Sequence, residues 1–187
     1  MPEYDLTQST SDHPDLQVSC FWPSLLLRLS PGGVPVPRAA SVDVDAHHAC
    51  RAGQPALTES TSTISWNAKS VDAQRSDCFA AADAVDRTLN QGDITEHAAI
   101  GLALCALPAL CPGNSVTRVS QIGSRADYYM NGRSDEMIEI GGINDLGKSI
   151  DVLHRDKAKQ ILAGAARHAW VCVANFVPRS LRLEKVR

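Results

Sequence analysis

The sequence lacks the short motifs that would assign a chemistry directly. Its 187 residues contain no G-x-x-x-x-G-K-[ST] phosphate loop, no G-x-G-x-x-G fingerprint and no G-x-S-x-G nucleophile elbow. The six cysteines include no C-x-x-C pair, so the clustered ligands of a zinc site are missing. These absences argue against the common nucleotide-binding, hydrolase and zinc-binding classes.

Long hydrophobic runs are missing as well. The longest, 98–111, has 14 residues and contains Pro108, whereas a membrane-spanning helix needs about 20. Residues 1–15 are acidic and polar, without the basic and apolar parts of a secretory signal. We therefore expect no membrane contact, a cytoplasmic location and cysteines that are reduced and mostly buried.

The chain has no general surplus of positive charge, and its net charge is −3. Residues 1–90 carry 6 basic and 11 acidic side chains, whereas residues 91–187 carry 12 basic and 10 acidic ones. Because clustered Lys and Arg provide the affinity for phosphate backbones, contact with DNA or RNA is expected only through residues 91–187. The acidic half, residues 1–90, is a candidate surface for another protein subunit.

The first half of the chain has little regular patterning. Residues 1–15 are expected to form a disordered arm, and residues 16–92 an N-terminal region with short strands and one helix. The elements predicted in that region are a strand within 16–29 interrupted at Pro23, an edge strand over 41–46, a short strand over 63–68 and a helix from about 71 to 90.

Residues 93–187 are patterned more regularly. The predicted order is a helix over 94–107, a strand over 115–122, a hairpin of 126–130 and 136–140 around Asn131-Gly132, a helix over 150–166, a strand over 169–176 and an edge strand over 179–186. The continuous apolar run AWVCVANF indicates a strand buried on both faces. The predicted fold class is therefore mixed α/β, a mixed sheet flanked by helices.

Two carboxylates interrupt the apolar strands of this hairpin. Asp127 lies in ADYYM and Glu139 in EMIEI. Acidic residues are poor strand formers, and acids facing each other across two strands repel unless a cation lies between them. Since Mg²⁺ prefers oxygen ligands, the pattern predicts a Mg²⁺ or Mn²⁺ site at Asp127 and Glu139. The alternative is a pair of surface charges with Arg125 and Arg133 as partners.

Two further residues have open alternatives. Glu96 lies on the apolar line of its helix and is a candidate third acid, but Asp93 and Glu96 also have the spacing of a capping box with Asp93 as N-cap. Lys157 borders the apolar stripe of the second helix, from which it can lean toward the carboxylates. Alternatively, it solvates the outer face of that helix together with Arg155 and Lys159.

The order helix, three strands, helix, strand resembles the core of the restriction-endonuclease-like PD-(D/E)XK nuclease superfamily over residues 93–187. Acids lie on the first helix (Glu96), the second strand (Asp127) and the third strand (Glu139), as the resemblance requires. It implies a Mg²⁺-dependent phosphodiesterase in which Asp127 and Glu139 bind metal, with Glu96 and Lys157 as further catalytic residues.

The main departure from the superfamily pattern is Gly141, because its members carry a water-activating lysine two residues after the second acid. Lys157 is the candidate substitute, so the site is either rerouted or retired. The segments E-I-G-G and H-R-D-K-A-K-Q also resemble uncharacterised prokaryotic proteins, in which an acid-x-Ser-Gly stretch precedes a helix rich in Arg and Lys.

Three functions are consistent with these features. The first is a metal-dependent nuclease, or an inactive subunit derived from one, in a prokaryotic system such as phage defence or a mobile element. The second is a non-catalytic binding or assembly module that retains the fold, which the weak basic charge and Gly141 favour. The third is an immunity-type protein that binds its partner through the acidic residues 1–90.

Overall fold

The computed structural model describes residues 3–29, 39–47, 60–65, 78–121 and 125–187. The helices in these ranges are α1 (Ser9–Asp12), α2 (Trp22–Leu29), α3 (Cys78–Thr88), α4 (Gln91–Leu110) and α5 (Ile150–Leu162). The strands are β1 (Glu3–Asp5), β2 (Ala39–His47), β3 (Ser60–Ser65), β4 (Val116–Val119), β5 (Tyr128–Met130), β6 (Arg133–Ile143), β7 (His168–Asn175) and β8 (Ser180–Lys185).

All the described strands belong to one sheet, in the order β1-β3-β2-β8-β7-β6-β5-β4. Strands β4 to β8 form a mixed five-stranded part in which β6 and β7 are parallel and the other neighbours are antiparallel. The predicted mixed α/β class is therefore confirmed. Strand β2 continues the sheet by pairing parallel to β8, so both predicted edge strands are wrong because each has a neighbour on either side.

The two faces of the mixed sheet are covered by different helices. On one face, Ile138 and Ile140 of β6 join the apolar cluster of α4 and α2. On the other face, Met137 of β6 and Val171 of β7 pack with Ile161 of α5. Because successive side chains of a strand point to opposite faces, these assignments place Glu139 on the α5 face.

Helix α4 is the central helix of the molecule. Its length and composition would allow it to cross a membrane, but 72% of its apolar window is buried inside the protein. A Cβ at Gly142 would lie 2.5 Å from the carbonyl oxygen of Thr95, so only glycine permits this approach of β6 to α4. The burial is typical of the core helix of a soluble protein.

The expectation of a disordered arm over residues 1–15 is wrong for the described residues 3–15. Leu6 and His13 are fully buried. Pro108 has no N–H to donate to the carbonyl of Leu104, and His13 Nε2 donates to that oxygen at 2.8 Å. His13 Nδ1 accepts from the Val116 N–H at 2.8 Å, so His13 joins α4 to β4. Burial lowers the pKa of His13, which favours this neutral form.

The strand predicted within 16–29 is wrong, since Trp22–Leu29 forms helix α2. Pro23 is in the first helical turn, where a missing N–H removes no internal hydrogen bond. Trp22, Leu25, Leu26 and Leu29 are buried at helical spacing against α4. The helix predicted from about residue 71 is described from Cys78, and residues 66–77 lie outside the described ranges.

The predicted hairpin is confirmed. Asn131 and Gly132 have φ values of 54° and 68°, the two consecutive positive angles that a type I′ turn requires. Strand β6 continues beyond the predicted EMIEI to Ile143. Eight of its residues, 136–143, pair with β7 in parallel.

The expectation of reduced cysteines is confirmed for Cys20, Cys105 and Cys172, which form no disulfide. It is wrong for Cys111, which is disulfide-bonded. Disulfides are rare in cytosolic proteins, so the cytoplasmic location stays a prediction.

Candidate metal centre

Asp127 lies at the start of the hairpin, next to the strand that carries Glu139. Tyr128 pairs with Ile138 in the antiparallel ladder, and Asp127 precedes this first paired residue of β5. The Asp127 N–H donates to the carbonyl of Ile138 at 3.1 Å. Its carboxylate Oδ2 accepts from the N–H of Ile140 at 2.7 Å. Asp127 is therefore fixed by backbone hydrogen bonds immediately before β5 begins.

Glu139 is fully buried on the α5 face of the sheet. Its Oε1 accepts two hydrogen bonds from α5, from Lys157 Nζ at 2.6 Å and from Gln160 Nε2 at 2.8 Å. Its Oε2 is buried and has no hydrogen-bond partner. The surface-charge alternative is thus wrong for Glu139, and Arg133 pairs with Asp135 instead.

Lys157 reaches Glu139 from the helix and passes close to the backbone of Gly141. A Cβ at Gly141 would lie 3.2 Å from Lys157 Cε and 3.2 Å from Leu153 Cδ2. The side chain of Lys157 is only 18% exposed. The alternative that Lys157 solvates the outer helix face is therefore wrong, although it holds for Lys159, which is exposed and pairs with Asp156.

The charges around Glu139 form one interacting group. Burial raises the pKa of Glu139 to about 7; its hydrogen bond with Lys157 opposes this rise, and the negative charges of Asp127 and Glu96 add to it. Burial alone would lower the pKa of Lys157, but the hydrogen bond to Glu139 and the charges of Glu139, Asp127 and Glu96 outweigh it and raise that pKa. Asp127, Glu139, Glu96 and Lys157 are therefore coupled through their charges.

Two expectations for Glu96 are wrong, whereas its role as a third acid stays a prediction. The N-cap of α4 is Asn90, whose Oδ1 accepts from the Asp93 N–H at 2.9 Å, so the predicted capping box of Asp93 and Glu96 is wrong. Glu96 lies beyond the first turn of α4 and is exposed, so its predicted position on the buried face is also wrong. Glu96 and Asp127 line a cavity of about 210 Å³ between α4 and the start of β5.

Two carboxylate oxygens at this site have no protein donor among the described residues. Glu139 Oε2 is a buried oxygen without a donor, and among the described residues no hydrogen bond is made to Oδ1 of Asp127. Carboxylate oxygens are the ligands that Mg²⁺ and Mn²⁺ prefer, and Mg²⁺ commonly takes only one or two from a protein. No group of three or more His, Cys, Asp or Glu residues that could hold a metal occurs in the part of the chain that the structure describes.

Gln160 is the residue that sequence reasoning left without a role. It shares a helical ridge with Lys157 at a spacing of three residues, and this spacing was the available signal. Because an amide neither titrates nor commonly binds metal, Gln160 was not among the predicted site residues. No family model, curated protein or solved structure matches this chain, so its function must be inferred from this site alone.

Proposed function

We propose that the protein is a Mg²⁺- or Mn²⁺-dependent nuclease with a restriction-endonuclease-like core. The observation that carries this proposal is the contact between Lys157 Nζ and Glu139, in the space that Gly141 leaves open. The order α4, β4, β5, β6, α5, β7 supports it, because the superfamily core has the same succession of helices and strands. An amine from the helix takes the place of the strand lysine.

Each residue has a distinct role in this proposal. Asp127 and Glu139 would hold the cation, which would supply a Lewis acid and activate water for attack. Lys157 stays protonated at neutral pH because its pKa is raised, so it stabilises negative charge on the phosphate and does not act as a base. Glu96 adds a carboxylate to the cavity beside Asp127.

A non-catalytic module is the second candidate, and one observation favours it. Lys157 already neutralises Glu139, so the buried carboxylate has a counter-charge without any metal. In that case the fold is retained for binding or assembly. The two candidates differ in whether Mn²⁺ binds and whether phosphodiester bonds are cut.

The decisive experiment is Mg²⁺- or Mn²⁺-dependent cleavage of single- and double-stranded DNA and RNA. We expect cleavage by the wild-type chain and its loss in Asp127→Asn, with a drop of about 10³-fold or more because a metal ligand is removed. Asp156→Asn is the matched control, since Asp156 is an exposed acid on α5. Cleavage that survives Asp127→Asn at full rate would contradict the assignment.

The biological setting extends this proposal. Nucleic acid would contact residues 91–187, in which basic side chains outnumber acidic ones. The acidic residues 1–90 would bind another protein subunit, as in the immunity-type alternative. A prokaryotic defence system or mobile element, and a cytoplasmic location, are the corresponding expectations.

A further inference from the structure

We propose that Gln160 is a positioning residue that, together with Lys157, occupies one oxygen of Glu139 and so reserves the other oxygen for the cation. The inference rests on the proposed metal site and adds to it a residue that never touches metal or substrate. It also explains why two side chains of α5 converge on a single carboxylate oxygen.

Two donors of α5 meet at the same atom. Lys157 and Gln160 are three residues apart on one helical ridge, and both donate to Glu139 Oε1, at 2.6 Å and 2.8 Å. A carboxylate oxygen offers two acceptor positions, so these two bonds fill Oε1. Oε2 is equally buried, yet no protein group donates to it. The carboxylate is thus divided into a saturated oxygen and an available one.

The same division occurs at Asp127. The Ile140 N–H donates to Oδ2 at 2.7 Å, and no described residue donates to Oδ1. Each acid of the pair therefore has one oxygen tied to the protein and another left over. Both acids therefore offer a cation one oxygen that no described protein group occupies, and Mg²⁺ and Mn²⁺ prefer such carboxylate oxygens.

An amide suits this position for a physical reason. Lys157 alone has three N–H donors on a flexible stem, so it can bond either oxygen of Glu139 or both. A neutral Gln160 fixes the carboxylate rotation without adding a second positive charge that would repel the cation.

The test is the affinity of the full chain for Mn²⁺ and Mg²⁺, measured by calorimetry in wild type and Gln160→Met. Gln160 is largely exposed, and methionine keeps its length, so the variant should retain the wild-type melting temperature. We expect about tenfold weaker Mn²⁺ binding, the usual effect of removing a group that orients a metal ligand. The EPR line shape of bound Mn²⁺ should also change in the variant, because one of its ligands is held less firmly, and a merely structural role would not produce this change.

The control is Lys159→Met, one residue away on the outer face of α5, which should bind Mn²⁺ like the wild type. Equal affinities and equal EPR line shapes of bound Mn²⁺ in Gln160→Met and wild type would overturn the role of Gln160 and leave the metal site intact. A wild-type chain that binds neither ion and cuts no nucleic acid would overturn both the metal site and this inference.

Discussion

Two glutamates of the same strand, Glu136 and Glu139, are both buried but differ in the hydrogen bonds that their carboxylate oxygens accept. Glu136 faces the α4 side, where Oε1 accepts from Trp170 Nε1 at 3.1 Å and Oε2 accepts from Asn131 Nδ2 at 3.1 Å. Glu139 faces the α5 side, where one oxygen has two donors and the other has none. One buried acid is fully satisfied and the other is half satisfied.

The contrast separates a structural acid from a candidate functional one. Buried polar groups are normally paired, and a carboxylate with a donor on each oxygen needs nothing further. Leaving a buried carboxylate oxygen without a partner costs free energy, so its presence calls for an explanation such as a bound ion. Glu136 therefore anchors the hairpin turn to β7, whereas Glu139 is arranged to receive a ligand.

The largest expected effect is on the stability of the Glu139→Gln variant, which should depend on pH differently from that of the wild type. Burial raises the folded-state pKa of Glu139 from 4.5 to about 7, so its contribution to stability is fully present below pH 4.5 and lost as the pH rises through 7. From about pH 4.5 to about pH 8 the unfolding free energy of the variant should therefore rise by about 3 kcal/mol relative to that of the wild type. This follows because each unit of pKa difference between the folded and unfolded states is worth about 1.4 kcal/mol.

The measurement is urea unfolding of both chains in EDTA across that pH range. Repeating it with saturating Mn²⁺ should reduce the difference, because a cation bound to Oε2 favours the ionised form of Glu139. A stability difference that is independent of pH would remove the electrostatic argument for this site.

A smaller effect is expected when the same substitution is made at Glu136. Glu136→Gln leaves one oxygen to accept from Trp170 but turns an amide toward the Asn131 donor, so about one hydrogen bond is lost. We expect a loss of about 1–2 kcal/mol in unfolding free energy, with Mn²⁺ affinity unchanged. Urea unfolding and calorimetry check the two halves of this prediction. Mn²⁺ binding that weakens as much as in Glu139→Gln would make the two acids equivalent.

Local sequence patterns predicted the hairpin and indicate on which face of the sheet each glutamate of β6 lies. Asn131-Gly132 predicts the turn, and strand alternation then separates Glu136 from Glu139 onto opposite faces. The lack of a lysine at position 141 indicated Lys157 as its substitute. The turn and the strand alternation depend on neighbouring residues only, which is why they could be predicted from the sequence.

Features that depend on distant contacts could not be predicted. His13 belongs to a polar segment, and only the carbonyl freed by Pro108 gives it a buried partner. Strand β8 alternates like an edge strand, but β2 covers it from the other half of the chain. Glu96 was misplaced because every residue from Ala98 to Leu107 is buried, so the apolar line that continues from Glu96 does not single out one face of the helix.

The smallest expected effect is that of Gly141→Ala on the unfolding free energy. It tests whether the missing side chain at position 141 makes room for Lys157. Replacing a strand glycine with alanine normally stabilises by about 0.5–1 kcal/mol, because the unfolded chain loses freedom. In Gly141→Ala the new Cβ would contact Lys157 Cε at 3.2 Å, so we expect no gain or a loss of up to about 1 kcal/mol. In a Lys157→Ala background only the contact with Leu153 remains, at 3.2 Å from its Cδ2, so the same change should be less destabilising.

A double-mutant cycle measured by urea unfolding gives the coupling between the two positions, expected at about 0.5–1 kcal/mol. Gly147→Ala is the matched control, because Gly147 lies in the exposed loop before α5 and its new Cβ would meet only Asp145 Oδ1, at 3.3 Å. Its effect should be the same with lysine or alanine at position 157. Additive effects of Gly141→Ala and Lys157→Ala would mean that the glycine and the lysine are independent, and that the amine reaches Glu139 for reasons unrelated to the missing side chain.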